Sequence, residues 1–155
     1  MARDDAGKKA ALCMPHEGDA VLLDEVWQES TYRTRASAVV RGATPFSEQI
    51  GGWPSWMAIE LMAQVVAASA GLREFRPGVQ TRLGLLLGVR SFVCARDFFP
   101  AGTRLQIEAI ESNRDNSGMG VYDCGLAAEG EAMASGVLTV YLPESVDSYL
   151  ESLEP

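Results

Sequence analysis

One stretch of this chain is apolar on every side. Residues 53–71 read Trp-Pro-Ser-Trp-Met-Ala-Ile-Glu-Leu-Met-Ala-Gln-Val-Val-Ala-Ala-Ser-Ala-Gly. Pro54 predicts a helix start, since a first-turn proline loses no helical partner for its missing N–H. Gly71 predicts the stop, as a left-handed cap. A helix without a polar face is a buried helix. Elsewhere the period is two. Residues 31–40 alternate, with Tyr32, Thr34, Ala36, Ala38 and Val40 on one face. Residues 20–26 predict an earlier strand. Four more strands are expected over 82–95, 103–111, 118–128 and 131–142, divided by turn residues at 99–102, 113–118 and 128–131. Residues 42–52 and 76–80 read as loops. Residues 1–11 are expected to be a flexible tail, and 12–155 a single domain ending in an acidic stretch that forms a short helix or frays.

The element order is strand, strand, long buried helix, four strands. A helix that is apolar all round needs cover on all sides. A strongly curved antiparallel sheet wrapped around it supplies that cover, so the class is α+β. Such a sheet leaves edges exposed, and pairing two copies edge to edge would protect them, which predicts a dimer.

Composition narrows the function. A net charge of −8 over 155 residues argues against a general nucleic-acid binder. The apolar run is interrupted by Pro54, Glu60 and Gln64, so it reads as a core helix rather than a membrane span. No signal-peptide pattern opens the chain, and Cys13, Cys94 and Cys124 are odd in number and far apart, which suggests reduced thiols and a cytoplasmic setting. No Cys/His cluster supports a metal, and no cofactor motif is present; Gly84 and Gly88 lack the lysine of a phosphate loop. Residues 73–104 hold Arg73, Arg76, Arg82, Arg90, Arg96 and Arg104 against only Glu74 and Asp97, a local basic face on an acidic chain, or a scatter of solvated arginines.

The sharpest chemical signal is Glu60, the one ionisable residue in the apolar helix. A lone carboxylate there must be hydrogen-bonded, neutralised or used. A carboxyl group in such a setting suits proton transfer near neutral pH. Gln64 lies four positions on, on the same helix face, where it can position its neighbours.

Ala58-Ile-Glu-Leu-Met-Ala-Gln64, in this element order, resembles the hotdog-fold 3-hydroxyacyl-(acyl carrier protein) dehydratases, whose helix carries Glu-Ala-Met-Ala-Gln. Met14-Pro-His16, residues 21–26 (Val-Leu-Leu-Asp-Glu-Val), Thr44-Pro-Phe46 and Phe99-Pro-Ala-Gly102 match further family motifs. The resemblance spans roughly residues 12–142. The nearest subgroup is the dehydratase-like proteins of aryl-polyene clusters, through Pro54-Ser-Trp56, residues 59–64, Leu83-Gly84 with Leu87-Gly88, and residues 99–102. Two departures stand out. The family's His-Phe-Pro-Gly loop is replaced by Ser47-Glu-Gln-Ile-Gly-Gly52, without histidine, and the family's glycine after the helix-start proline is Ser55.

The resemblance implies dehydration of a 3-hydroxyacyl thioester held on acyl carrier protein. Glu60 is the expected catalytic carboxylate. His16, the chain's single histidine, would replace the missing loop histidine, reaching Glu60 within the chain or across a dimer; it can equally be structural. Gln64, Ser55, Trp56 and Gly88 are expected to bind substrate, the amides near Ser55 and Trp56 forming an oxyanion site at the helix start. Arg73, Arg76, Arg82 and Arg90 are expected to dock the acidic carrier. Three readings are open: a dehydratase, a thioesterase of the same fold, or a non-catalytic subunit stabilising an active partner in a heterodimer.

Overall fold

The computed structural model describes residues 7–42, 51–74, 78 and 82–155. Its strands and helices, in chain order, are β1 (Lys8–Lys9), β2 (Glu25–Gln28), β3 (Arg33–Val39), β4 (Gly52–Pro54), α1 (Met57–Arg73), β5 (Leu85–Cys94), β6 (Phe98–Pro100), β7 (Arg104–Arg114), β8 (Met119–Ala128), β9 (Glu131–Tyr141) and α2 (Val146–Ser152). Among the described residues one sheet has seven strands in the order β1-β2-β3-β7-β8-β9-β5, every pair antiparallel. The helix α1 packs chiefly on β7 and also meets β2, β3, β8 and β9. This is the expected hotdog arrangement.

Alternation builds the concave face. Thr34, Ala36 and Ala38 of β3 sit opposite Ala109, Ile107 and Leu105 of β7. Ala109 and Ile107 in turn face Cys124 and Leu126 of β8. All are buried. Against them α1 lays Leu61, Met62 and Val65, fully buried. Each such side chain contributes about 1.5–3 kcal/mol by leaving water. Tyr32, expected to share a face with Thr34, Ala36, Ala38 and Val40, is exposed instead, because it lies in the bend before the strand.

Several boundaries differ from expectation for identifiable reasons. Pro54 does not open the helix. It is the last residue of β4, paired with Phe98 of β6, and the helix begins after a turn at Ser55 and Trp56. The β4–β6 pair falls where only a loop and a turn were expected; it places Trp53 opposite Phe99, both fully buried. Gly71 does not end the helix, which runs on to Arg73. Its small size serves close packing: a Cβ there would overlap the carbonyl oxygen of Cys13. Residues 7–11 are not a tail, since β1 pairs with β2 and Ala10 is fully buried. Residues 20–23 are not strand; they run alongside α1, and β2 begins at Glu25.

Candidate active site

Among the described residues the helix is not covered all round. Glu60, Ala63, Ala67 and Ala70 are only partly buried, and their spacing places them on one stripe of α1. That stripe forms one wall of a cavity of about 190 Å³. Leu85 and Leu86 of β5, Tyr122 of β8, and Val140 and Tyr141 of β9 form the other walls. Pro15 and His16, from the segment that runs along α1, complete it.

Glu60 therefore faces a cavity, with its side chain 38% exposed, rather than lying sealed in the core. Its Oε1 accepts a hydrogen bond from Gln64 Nε2 at 3.0 Å. Gln64 is fully buried, and its carboxamide orientation is fixed by the backbone. The Leu22 N–H donates to Gln64 Oε1 at 2.9 Å, and Gln64 Nε2 donates to the Ala20 carbonyl at 2.7 Å. A backbone N–H can only donate and a carbonyl can only accept. Gln64 must therefore present its NH₂ group to Glu60, which is the acceptor.

His16 Nε2 lies 3.8 Å from Glu60 Oε1 within the same chain. That is too long for a hydrogen bond but close enough for a small ring movement to make one. His16 Nδ1 is buried without a partner among the described residues. The imidazole is delivered by the tight contact of Cys13 with Gly71, three residues earlier in the chain. The two residues expected to move protons thus meet at one cavity.

The other expected site residues do not gather there. The Ser55 N–H donates to the Asp97 carbonyl at 2.9 Å, so this amide is already engaged. Trp56 is half-exposed and Gly88 lies on exposed β5 with open space around it; Ser55, Trp56 and Gly88 are absent from the cavity wall, whereas Gly84 is part of it. Arg73 is not a free docking cation: its Nη1 pairs with Glu111 at 2.7 Å and its Nη2 donates to Ser69 Oγ at 2.8 Å. Arg82 stands at the cavity rim, paired with Glu74 at 3.3 Å and donating to the Leu142 and Pro143 carbonyls. Arg90 is exposed on β5. Arg76 lies outside the described residues, as do Ser47 to Ile50 of the loop that replaces the family's histidine motif.

Sequence reasoning missed the far end of the cavity. The Tyr122 hydroxyl donates to Glu111 Oε2 at 3.3 Å, and the same carboxylate holds Arg73. Burial pushes the Tyr122 phenol above its ordinary pKa, against the pull of Arg73. Burial opposes the Arg73 charge, but Glu111 and Tyr122 outweigh it and raise the guanidinium. The alanine spacing after Glu60 was the available signal for a cavity, because small residues on one stripe leave room. Cys124 and Cys13 are unsuited to nucleophilic work: burial, with Asp123 and Glu108 nearby, pushes the Cys124 thiol up to about 12, and burial raises Cys13. Among the described residues no group of His, Cys, Asp and Glu is arranged to hold a metal, and no helix is long and apolar enough to cross a membrane.

Comparison with known proteins identifies the family. The ApeP-like family, described as ApeP dehydratase, matches residues 8–151. The dehydratase heterocomplex ApeI:P from Xenorhabdus doucetiae contains a chain that is 28% identical, with a TM-score of 0.82 over 95% of this chain and 99% of that one. Two more distant structures share the fold: the TT0310 protein from Thermus thermophilus (19% identity, TM-score 0.57, 80% and 94% covered) and PaaI of the E. coli phenylacetic acid degradation operon (11%, 0.56, 75% and 80%). Among curated proteins none matches this chain. With the family matched over nearly the whole length, and a carboxylate and an imidazole meeting at a cavity beside the central helix, the chain belongs to the ApeP-like dehydratases, hotdog proteins of the aryl-polyene type that its motifs resemble.

Proposed function

We propose that this protein dehydrates a 3-hydroxyacyl thioester, presented by acyl carrier protein in the cytoplasm, to the enoyl thioester during aryl-polyene-type lipid synthesis. The observation that carries the proposal is the His16–Glu60 pair, 3.8 Å apart on the wall of a cavity. Dehydration removes a proton from C2 and the hydroxyl from C3, forms the C2–C3 double bond and releases water. His16 takes the C2 proton and Glu60 protonates the leaving hydroxyl. Gln64 donates to Glu60 Oε1 and fixes the carboxyl group beside His16. The exchange returns to its start when the proton on His16 passes to Glu60 across the short gap. Arg82 and Arg114, at the cavity rim, and Arg90 support docking of an acidic carrier.

A second reading has its own support. The similar chain from Xenorhabdus doucetiae was solved in a dehydratase heterocomplex. Among the described residues β5 is the long outer strand of the sheet, and it exposes Leu86, Leu87 and Val93. Such an edge invites a partner strand. In this reading the chain works beside a related dehydratase, or beside a second copy of itself.

One assay separates the readings. The purified chain is given a carrier-bound 3-hydroxyacyl substrate, alone and with a co-expressed related dehydratase. Enoyl product from the chain alone supports the proposal. Product only with the partner moves the chemistry to the pair, and free acid would mean a thioesterase. If Glu60→Gln and His16→Ala both turned over at the native rate, the site assignment would be wrong.

A further inference from the structure

We infer that α2 is an acidic gate at the cavity mouth: docked against Tyr141 it repels an acidic carrier, and it swings away when the carrier seats on the rim. This rests on the carrier docking proposed above and concerns its regulation.

The chain leaves the sheet at that rim. Tyr141 and Leu142, at the end of β9, line the cavity together with Arg82 and Arg114. The Leu142 N–H donates at 2.9 Å to the carbonyl of Gly118, on the hairpin that carries Arg114. Arg82 Nη2 donates to the Leu142 carbonyl at 3.2 Å and to the Pro143 carbonyl at 2.8 Å. Pro143 is buried, and Glu144, the next residue, is exposed. The last segment of the chain therefore starts beside a rim arginine.

That segment carries one sign of charge. Residues 144–155 contain Glu144, Asp147, Glu151 and Glu154 and no lysine, arginine or histidine. All four acids are exposed, and among the described residues none is paired with a cation. Within α2, Asp147 and Glu151 lie one turn apart on one side. Val146 and Tyr149, on the other side, are half-buried. The helix thus rests its apolar side on the domain and turns its acids to solvent. An acidic protein approaching the rim meets these charges first, and like charges brought together oppose association.

The helix is also hinged and lightly held. α2 has seven residues, none of them buried, and a helix so short is not stable apart from the domain. It is held by the Tyr149 ring, which meets the Tyr141 ring edge-on, with centroids 4.9 Å apart and planes at 61°. Ser145 is extended and caps the helix with its side chain. Rotation at residues 144–145 therefore swings α2 away without disturbing β9. Leu150 and Leu153 are 50% and 61% exposed even in the docked position, so docking buries little and little opposes release.

The test measures, by calorimetry, binding of the full chain to a bacterial acyl carrier protein bearing an unreactive amide-linked acyl group. Glu144→Gln, Asp147→Asn, Glu151→Gln and Glu154→Gln combined should raise carrier affinity about tenfold, as removal of four exposed like charges would. That gain should shrink in salt of about 0.5 M. Tyr149→Ala keeps every charge but frees the helix, and should raise carrier affinity about threefold. An uncharged acyl-pantetheine should bind native and variant chains alike, because the gate stands at the mouth and not inside the cavity. Carrier affinity that is unchanged or weakened in either variant overturns the inference. So does a gain for acyl-pantetheine as large as that for the carrier, which would make α2 a lid on the cavity. Failure of the native chain and both variants to bind carrier overturns it too. A gain in carrier affinity without enoyl product in the dehydration assay would sink the reaction and leave the gate standing, and enoyl product without a gain would do the reverse.

Discussion

Two carboxylates flank the two ends of α1, and they are built in opposite ways. Glu111 sits against a guanidinium at 2.7 Å with its side chain 8% exposed. Glu60 meets a neutral amide at 3.0 Å and an imidazole at 3.8 Å, with its side chain 38% exposed. The first has a permanent countercharge and no room. The second has a fixed donor on one oxygen, a titratable neighbour, and a cavity. Glu111 is matched by a guanidinium and enclosed, whereas Glu60 stands open to the cavity where a substrate could reach it. The difference separates an acid that holds the fold together from one available for chemistry.

The most severe way to break this comparison is to neutralise each acid in turn. Glu60→Gln should lower kcat for the 3-hydroxyacyl substrate by about 10²–10⁴-fold, with the melting temperature nearly unchanged. Glu111→Gln should do its harm in stability, stranding the Arg73 charge and costing about 3 kcal/mol in urea unfolding. If the two variants exchanged phenotypes, the assignment of roles would be reversed.

Gln64→Met is the next test. It leaves the Leu22 N–H and Ala20 carbonyl unpaired, which should cost about 2 kcal/mol in chemical denaturation. It also releases Glu60 Oε1, so the pH profile of kcat should shift, which a purely structural role for Gln64 would not produce. Gly71→Ala should cost about 1–3 kcal/mol through the clash with Cys13. By displacing the segment that carries His16 it should also reduce kcat.

The smallest effect concerns pH. The Cys124 thiol, pushed up to about 12 by burial, stays protonated in the fold where an unfolded chain ionises near pH 8.5. Its folded pKa is the higher one, so its contribution is intact below pH 8.5 and is lost as pH rises toward 12. Unfolding free energy should fall by roughly 1 kcal/mol one unit above the free-thiol value. Cys124→Ala should flatten that slope. An equally steep slope in the variant would show that another group is responsible.

Much of this was legible in the chain. The period-two strands and the uniformly apolar helix specify a sheet wrapped around a rod, because each pattern admits few partners. Glu60 stood out for the same reason, as the one charge in an oily run. Hairpin turns rich in Gly, Asn and Asp located β7, β8 and β9 to within a few residues. What stayed hidden depends on distance in space. Gly71 looked like a helix stop because its partner, Cys13, lies far off in sequence. Pro54 looked like a helix start because its strand partner, Phe98, follows the helix. Arg73 looked like a docking cation because nothing local reveals that Glu111 comes back to meet it across the sheet. The open stripe on α1 was masked by composition: an alanine that lines a cavity and one that fills a core read alike.

The contact between Cys13 and Gly71 also has a consequence for how the chemistry could change over time. The imidazole rides on a strap ahead of the first long strand, held to the central rod at Gly71 on one side and at Gln64 on the other, whereas the acid is rooted in the rod itself. The strap can be lost, lengthened or re-aimed without rewriting the barrel-like shell. A descendant that let go of the Gly71 contact would keep the sheet and the rod, lose the aim of its imidazole, and become a silent companion to some more active sibling.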